Sequence, residues 1–324
     1  MRALQIKEPG IAEMVELPCP IPGPGEVLLK VYAISTCPHW DIHMMAGEPM
    51  LAGQVLDYPL TPGQPGHEMT GEVLECGEGV DGFSPGMRVA AWQDRGGSVA
   101  QGCYAQYVSF RATSLMPVSA DLEPEQIASL ELAMCVQVIF DQLELLDTIR
   151  SKRIGVGGLG PAGLIAVQMA RAYGATEVLG IDPLSDRRAM GLSLGADSTF
   201  APGDQMLPEG RFSDTSLDAA IDCTGLKSSI EYLIARSRKA VGIFGVLRED
   251  VVFPADCWRG GFSLMGYASH NRSAAEKAYQ LIKDHHLNLA PLITHRLPLS
   301  RYQEGVDLLR QHAATKILFD PWMD

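Results

Sequence analysis

The sequence predicts an α/β protein with a mostly-β first part and a doubly wound parallel sheet. Glycines and prolines interrupt the chain about every eight to twelve residues as far as Val108, a spacing typical of a small barrel or sandwich. A long apolar-periodic stretch without glycine follows Pro124 and is typical of a helix. From Arg153 onward, strand-like and helix-like segments alternate, which favours a parallel sheet.

The first part is expected to consist of short strands. The run "EVLLKVYAI" (26–34) is rich in β-forming residues and follows the turn signal "PIPGPG". The segments "HEMTGEVLECG" and "MRVAAW" continue this pattern. We therefore expect the first third of the chain to be all-β, with a domain boundary inside the helical stretch that begins at Glu123.

The following segment has the pattern of β-α-β units. A short strand, "RIGVG", precedes a glycine turn, a helix from Pro161 to Tyr173 and a strand at Glu177–Ile181. Further strands are expected at 217–222 and 240–245, with the helix-like "SSIEYLIARS" between them. This alternation is most simply explained by one parallel sheet with helices on its faces.

The tail combines two amphipathic helices, an extended "PLITHRLPL" and a final strand. It is expected to return to the first domain, so that one domain is split in sequence. The predicted division is a first part at 1–130, a dinucleotide-binding domain at 131–266 and the return at 267–324.

Composition excludes several functions. The 324 residues include 26 Lys and Arg against 39 Asp and Glu, a net charge of −13, which disfavours a nucleic-acid partner. No apolar run is long enough for a membrane span, and no export signal precedes the first strands. The seven cysteines are scattered, odd in number and without a Cys-x-x-Cys pair, as expected of reduced thiols in a cytoplasmic protein.

A glycine-rich turn lies where the strand "RIGVG" must turn into a helix. The first glycine permits the tight turn, the second lets the backbone approach a pyrophosphate, and the third lets helix pack on strand. The helix N-terminus then faces the phosphates. The turn consists of Gly158, Leu159, Gly160, Pro161, Ala162 and Gly163.

Asp182 lies 19 residues after Gly163, at the end of the next predicted strand. A carboxylate there can accept both ribose hydroxyls and would repel a 2′-phosphate, so the sequence favours NAD(H) over NADP(H). Arg187 and Arg188 leave an alternative, because an arginine beside the ribose can accommodate a 2′-phosphate, although both also suit a solvated helix surface. Further candidate cofactor contacts lie at C-terminal strand ends: Thr224, Gly245, Val246 and Leu247.

Cys37 and His67 offer the sulfur and nitrogen donors that zinc prefers. Together with the glycine turn, these segments make the sequence resemble the zinc-containing alcohol and polyol dehydrogenases of the medium-chain dehydrogenase/reductase superfamily. The resemblance covers essentially the whole chain. It is carried by "PIPGPGEVLLKV", Cys37, "GHE" at 66–68, "GEVLECGEGVDGFSPGMRV", "GCYAQYV", "GGLGPAG", Asp182, "IDCTG" and "PLITHRLPL".

The resemblance implies a Rossmann domain inserted in a split, GroES-like catalytic domain, with one catalytic zinc. Cys37 and His67 resemble the first two zinc ligands and Glu68 the acid beside the metal. Either Glu131 or Cys135 resembles the third ligand, and we favour Glu131. The cysteine-rich lobe that binds a structural zinc in many relatives would lie between residues 86 and 104, where the sequence has only one cysteine, so no structural zinc is expected.

The sequence departs from the family after Cys37. Relatives usually have Cys-x-Ser/Thr-Asp, whereas here the run "CPHWDIH" lacks the hydroxyl and has one extra residue. Asp41 is a candidate acceptor for His67, and His39 or His43 a candidate proton carrier. Trp40 either narrows the substrate site or is part of the core.

These features predict a zinc-dependent, NAD-linked dehydrogenase that oxidises a primary or secondary alcohol or a polyol. Its partners would be a small alcohol or carbonyl substrate and further copies of itself, as a dimer or tetramer. One alternative is a metal-free NAD(P)H quinone or enone reductase, although such relatives generally lack the Cys and the Gly-His-Glu segment. The other is a non-catalytic dinucleotide-binding sensor whose altered relay has lost turnover.

Overall fold

In the computed structural model, strands and helices are described for residues 1–51, 53–93, 101–204, 207, 209–258 and 260–323. The strands are β1 (Arg2–Glu8), β2 (Ile11–Glu16), β3 (Glu26–Ser35), β4 (Glu68–Cys76), β5 (Arg88–Ala91), β6 (Tyr107–Arg111), β7 (Leu115–Pro117), β8 (Arg153–Gly157), β9 (Glu177–Ile181), β10 (Ser198–Phe200), β11 (Leu217–Asp222), β12 (Ser237–Ile243), β13 (Ser263–Gly266), β14 (Ile293–Pro298) and β15 (Lys316–Asp320). The α-helices are α1 (Pro38–Ala46), α2 (Pro124–Ile127), α3 (Leu130–Glu144), α4 (Pro161–Ala172), α5 (Ser185–Ser193), α6 (Lys227–Ile234), α7 (Arg272–Lys283) and α8 (Tyr302–Arg310).

The chain forms two units, one at Met1–Leu132 with Leu289–Asp324 and one at Ala133–Asn288. The first unit contains the two-stranded sheet β1-β2 and a seven-stranded sheet in the order β14-β15-β3-β4-β5-β7, with β6 also paired to β3. The C-terminal strand β15 lies antiparallel beside β3. The tail therefore returns to the first unit as expected.

The second unit is a parallel sheet with the strand order β10-β9-β8-β11-β12-β13. Its central strands are almost continuously apolar and buried, as in "RIGVG" and "LDAAID", because helices cover both faces of such a sheet. The α/β fold with a parallel dinucleotide-binding sheet is confirmed. None of the helices in the described ranges is long and apolar enough to cross a bilayer.

Three details differ from the sequence-based expectation. The first third is not all-β, because α1 interrupts it, with Pro38 in its first turn and Gly47 ending it in the left-handed region at a φ of 76°. The helical stretch after Glu123 is divided into α2 and α3. The second unit extends to Asn288, beyond the expected return at 267.

The extension to Asn288 has a clear cause in hydrogen bonding. The backbone N–H of Asn288 donates to Gln168 Oε1 on α4 at 2.8 Å, and Gln168 Nε2 donates to the Asn288 carbonyl at 3.1 Å. Lys277 on α7 pairs with Asp141 on α3 at 2.9 Å. These contacts join α7 and the residues after it to the parallel-sheet unit.

Candidate active site

The register of two neighbouring strands brings Cys37 and His67 together. Ser35, the last residue of β3, lies opposite Glu68, the first residue of β4. Cys37 follows two residues after β3 and is the N-cap residue of α1, and His67 directly precedes β4. Adjacent strand ends therefore place a thiol and an imidazole side by side, although 30 residues separate them in sequence.

The donor atoms of Cys37, His67 and Glu68 all lie within 4.8 Å of one another. Glu131 Oε2 lies 3.9 Å from His67 Nε2, and both side chains belong to the first unit. His67 Nδ1 is 2.8 Å from the Pro65 carbonyl oxygen, which can only accept, so Nδ1 carries the proton and donates. This bond leaves Nε2 as the ligating atom, which is the usual arrangement for a metal-bound histidine.

Negative charge dominates this cluster. Burial alone would lower the pKa of His67. The hydrogen bond to Cys37 and the nearby charges of Cys37, Glu131 and Glu68 raise this pKa by more than burial lowers it, so it lies well above its ordinary value. A site that stabilises positive charge on an imidazole also suits a divalent cation. The sulfur, nitrogen and carboxylate donors fit zinc in particular.

Glu68 has a different role from the other donors. Its two carboxylate oxygens accept from Lys316 Nζ at 2.8 and 2.6 Å, and both side chains are fully buried. Burial raises the pKa of Glu68, whereas the nearby Lys316 charge lowers it. Because Lys316 already bonds both oxygens of Glu68, Glu131 is the better oxygen donor for a metal.

Cys135, the alternative third ligand, has a contact of its own. Its Sγ lies 3.2 Å from the Tyr267 hydroxyl, and both residues belong to the second unit. Glu131 is equally buried, and its Oε2 lies 3.9 Å from His67 Nε2. Glu131 and Cys135 both remain candidates for the third ligand.

Asp41 does not have the expected contact with His67. Its Oδ1 accepts from the hydroxyls of Tyr104 and Tyr302, each at 2.8 Å, whereas His67 Nδ1 faces Pro65. The expectation that Asp41 orients His67 by a hydrogen bond is therefore wrong. Burial raises the pKa of Asp41 to about 6, although the two tyrosine hydrogen bonds lower it.

The histidines of α1 form a pair. The rings of His39 and His43 are stacked with centroids 5.3 Å apart, His39 being exposed and His43 buried. His43 Nδ1 lies 3.2 Å from Oε2 of Glu48, whose side chain is 65% exposed. Trp40 contacts the His67 ring edge-on, with ring centroids 6.4 Å apart. It therefore lies beside the group of donor side chains rather than in a separate part of the core.

Four residues near this cluster escaped the sequence analysis: Glu48, Tyr104, Tyr302 and Lys316. Lys316 alone carried a usable signal, because a lysine opening the apolar strand "KILF" requires a buried partner or solvent. The other three lack a distinguishing local pattern. The lobe in which no structural zinc is expected includes residues 94–100, which lie outside the described residues.

In the second unit, the glycine turn connects β8 to α4 as predicted. Gly158 adopts a φ of 82°, which favours glycine. A Cβ atom at Gly163 would lie 1.8 Å from the Gly158 carbonyl oxygen, so a side chain is excluded there. The helix N-terminus at Pro161 is thereby brought directly behind the turn.

Asp182 contacts this turn directly. Its Oδ2 accepts from the backbone N–H of Leu159 at 2.8 Å, and its Oδ1 accepts from Leu184 at 2.8 Å. Arg187 Nη1 lies 3.9 Å from the position of a Cβ on Gly160, whereas Arg188 donates to the carbonyls of Asp182 and Pro183. Asp182 therefore stabilises the conformation of the glycine turn. Its spacing from Gly163 predicts only a contact with the ribose of the dinucleotide.

The remaining cofactor candidates meet at the C-terminal ends of β11 and β12. Thr224 donates to Asp222 Oδ1 at 2.7 Å. A Cβ at Gly245 would lie 1.9 Å from the backbone nitrogen of Gly225, so the two loops are in direct contact. Val246 packs in the same place, and Leu247 next to it is 43% exposed. This is the edge at which parallel sheets bind ligands.

Comparisons with known proteins identify the family of the chain. Residues 23–120 match the alcohol dehydrogenase GroES-like domain and residues 161–284 the zinc-binding dehydrogenase family, together about two thirds of the chain. The chain is 27% identical to an L-threonine 3-dehydrogenase of Pyrococcus horikoshii, over 98% of both chains. It is 25% identical to a sorbitol dehydrogenase of Halalkalibacterium halodurans, over 94% of both.

A solved structure has the same fold. It comes from Sinorhizobium meliloti 1021, is described as a zinc-binding dehydrogenase bound to NADP, and has a TM-score of 0.83 at 24% identity over 99% of both chains. From the domain matches and the full-length relatives, the chain belongs to the zinc-dependent alcohol and polyol dehydrogenase branch of the medium-chain dehydrogenase/reductase superfamily, oxidoreductases that act on CH–OH groups with zinc and a nicotinamide dinucleotide.

Proposed function

We propose that this enzyme oxidises a secondary alcohol whose neighbouring carbon bears a hydroxyl or amino group. The observation that carries the proposal is the group of donor atoms on Cys37, His67 and Glu68, with Glu131 Oε2 3.9 Å from His67 Nε2, in a chain that also has the glycine turn. Threonine and sorbitol, the substrates in the names of two full-length relatives, both contain such an alcohol. The product is a ketone, and the reaction is reversible.

We infer that Cys37 Sγ, His67 Nε2 and the Glu131 carboxylate hold the zinc. Three protein ligands leave a position for the substrate oxygen, as in other catalytic zinc sites. The bound zinc supplies Lewis-acid polarisation of the alcohol oxygen, and the nicotinamide supplies the hydride acceptor. Glu68, held by Lys316, adds negative charge behind the ligands, and Trp40 restricts the space beside His67.

His43 is the residue that we propose moves the alcohol proton outward. Its Nδ1 lies 3.2 Å from Oε2 of Glu48, and we propose this solvent-exposed carboxylate as the acceptor of a proton that leaves His43. His39 stacks on the same ring and is the competing candidate. Asp41 is a weaker candidate for this role, because its side chain is buried away from solvent and its Oδ1 already accepts from two tyrosine hydroxyls.

Replacing His43 with glutamine is expected to lower kcat by about 10²-fold or more, while zinc content stays unchanged, since general acid–base groups contribute about 10²- to 10⁴-fold. Steady-state kinetics and elemental analysis measure the two quantities. His39→Gln is the matched comparison on the same helix, with a smaller expected loss. A larger loss of kcat in His39→Gln than in His43→Gln would assign the proton to His39 instead.

The reaction itself is tested by following NADH and NADPH formation with zinc-loaded protein and a panel of alcohols. We expect turnover of vicinal diols or amino alcohols with NAD⁺ in preference to NADP⁺, because Asp182 disfavours a 2′-phosphate. Turnover of quinones or enones with no alcohol oxidation would favour the metal-free reductase. NADH binding without turnover of any panel member would favour the sensor.

We also propose that the enzyme forms a homo-oligomer, a dimer or tetramer, by joining sheets at β13. This strand ends the sheet and pairs only with β12 among the described strands, which leaves its outer edge unpaired. The half-exposed Phe253 packs on Phe262 directly before it, with ring centroids 6.0 Å apart. Sedimentation velocity at micromolar concentration measures the assembly, and a single species of 35.0 kDa would contradict the proposal.

A further inference from the structure

A buried network of three side chains lies behind the proposed zinc site. The Asp41 Oδ1 atom accepts from both Tyr104 and Tyr302, and all three residues are only 1% exposed. The other carboxylate oxygen, Oδ2, is without a hydrogen-bond partner within the described residues. The two phenol groups are therefore what satisfies this carboxylate. Unsatisfied buried carboxylates are costly, which makes the position of α1 dependent on both tyrosines.

Asp41 belongs to the first turn of α1, the helix that begins after Cys37. Its backbone N–H donates to the Cys37 carbonyl at 2.9 Å, so a movement of Asp41 is transmitted to the thiol through one helical turn. The side chain of Cys37, the N-cap residue, makes no capping hydrogen bond to α1. The anchoring of this end of the helix thus depends on Asp41 and its partners.

Tyr104 also contacts the segment that carries His67. A Cβ on Gly66 would lie 2.9 Å from the Tyr104 ring and 2.8 Å from its backbone nitrogen, so ring and chain are in close contact. The backbone N–H of Cys103 donates to the Gly66 carbonyl at 2.8 Å. Tyr104 therefore packs on Gly66, the residue before His67, and donates a hydrogen bond to Asp41 on α1.

Tyr302 ties the same carboxylate to the C-terminal part of the chain. It is the first residue of α8, and its ring lies 5.1 Å from that of Tyr104 and 5.5 Å from that of Phe319 on β15. The aromatic packing holds both phenols in place independently of Asp41. The two hydroxyls thus form a fixed pair of donors for the carboxylate of α1.

We propose that Tyr104 and Tyr302, acting through Asp41, are positioning residues that set the separation of Cys37 and His67 and thereby the affinity of the zinc site. Neither tyrosine is among the proposed metal ligands. The proposal rests on the zinc ligands named above. In this chain, the hydroxyls of Tyr104 and Tyr302 hold α1, the helix that follows Cys37, by donating to Asp41. The backbone carbonyl of Pro65 orients the imidazole of His67.

The test uses Tyr104→Phe and Tyr302→Phe, which remove only the hydroxyls. Tyr232→Phe is the matched control, because the Tyr232 hydroxyl is buried without a hydrogen-bond partner in the described structure and lies in the second unit. The metal-free full-length proteins are titrated with Co²⁺ and Zn²⁺ against a chelator. Co²⁺ absorption in the visible range reports the geometry around the metal independently of activity.

Each site variant is expected to raise the dissociation constant for Co²⁺ by about tenfold and to shift its visible spectrum, since loss of an outer-shell partner typically costs 10- to 100-fold. Asp41→Ala should give a comparable loss that is not additive with Tyr104→Phe, because both remove the same contact. Asp41→Asn, which retains an acceptor oxygen, should restore most of the affinity.

Two negative results are distinguishable. If the Cys37→Ala variant binds Co²⁺ as tightly as the wild-type protein does, the proposed ligand set is wrong. If Cys37→Ala abolishes binding but both phenylalanine variants bind within twofold of wild type with unchanged spectra, the ligand set stands and the positioning role is overturned. Urea unfolding of the metal-free variants identifies any that fail to fold, and the phenylalanine variant that does fold then carries the test.

Discussion

Replacing Cys37 with alanine should remove about one zinc per chain and lower alcohol oxidation by at least about 10³-fold. The thiol is one of three proposed ligands, and its loss leaves an imidazole and a carboxylate, too few for a tight zinc site. Stabilisation of transition-state charge by a Lewis acid is worth several kcal/mol. Each loss of about 1.36 kcal/mol lowers the rate constant tenfold. Elemental analysis and the alcohol assay give the two readouts.

Cys76→Ala is the control for this experiment. Cys76 is also partly buried, at the far end of β4, and has no role in the proposed site. It should keep full zinc content and activity. Zinc that stays bound in Cys37→Ala would contradict the assignment, and zinc lost from both variants would point to a general effect of cysteine removal. NADH binding, measured by fluorescence, should be retained in both variants because the dinucleotide turn is in the other unit.

Lys316→Met is expected to lower the free energy of unfolding by about 3–5 kcal/mol, the usual cost of leaving one partner of a buried ion pair alone. Glu68 would stay fully buried and would lose the cation that is hydrogen-bonded to both of its oxygens. The loss should shrink as the pH falls, because protonation of Glu68 removes the uncompensated charge. Urea unfolding of the metal-free protein at several pH values measures this difference.

The double variant Lys316→Met with Glu68→Gln should recover much of the stability, since it removes both charges together. Arg310→Met is the control for loss of an ion pair at the surface. Its partner is Asp307, both side chains are about half exposed, and the expected change is at most about 1 kcal/mol. If Lys316→Met and Arg310→Met lowered the free energy of unfolding equally, the buried ion pair would contribute no more to stability than the exposed one.

Local features of the sequence were sufficient for the dinucleotide unit. The strands at Glu177–Ile181 and 217–222, and the glycine turn before α4, were placed correctly because apolar runs and glycines mark them within a few residues. The cluster of Cys37 and His67 depended on resemblance, because only the register of β3 against β4 brings the two residues together.

The side chains packed behind Cys37 and His67 could be predicted neither from local sequence features nor from the family resemblance. Lys316 meets Glu68 across 248 residues and Tyr302 meets Asp41 across 261, separations at which no periodicity or spacing rule operates. Asp41, the candidate acceptor for His67, instead accepts from Tyr104 and Tyr302. Long-range partners of buried charges follow from the packed sheet and helices, and therefore need coordinates.

The hydrogen bonds of Asp182 bear on how this enzyme could change its cofactor. Removing the carboxylate to admit a 2′-phosphate would also take the acceptor from the N–H groups of Leu159 and Leu184. Under the proposed preference for NAD(H), the selection of the dinucleotide and the shape of the glycine turn would thus depend on the same side chain. We therefore expect a single substitution of Asp182 to weaken binding of both dinucleotides, so that a change toward NADP(H) would first need another acceptor for these N–H groups.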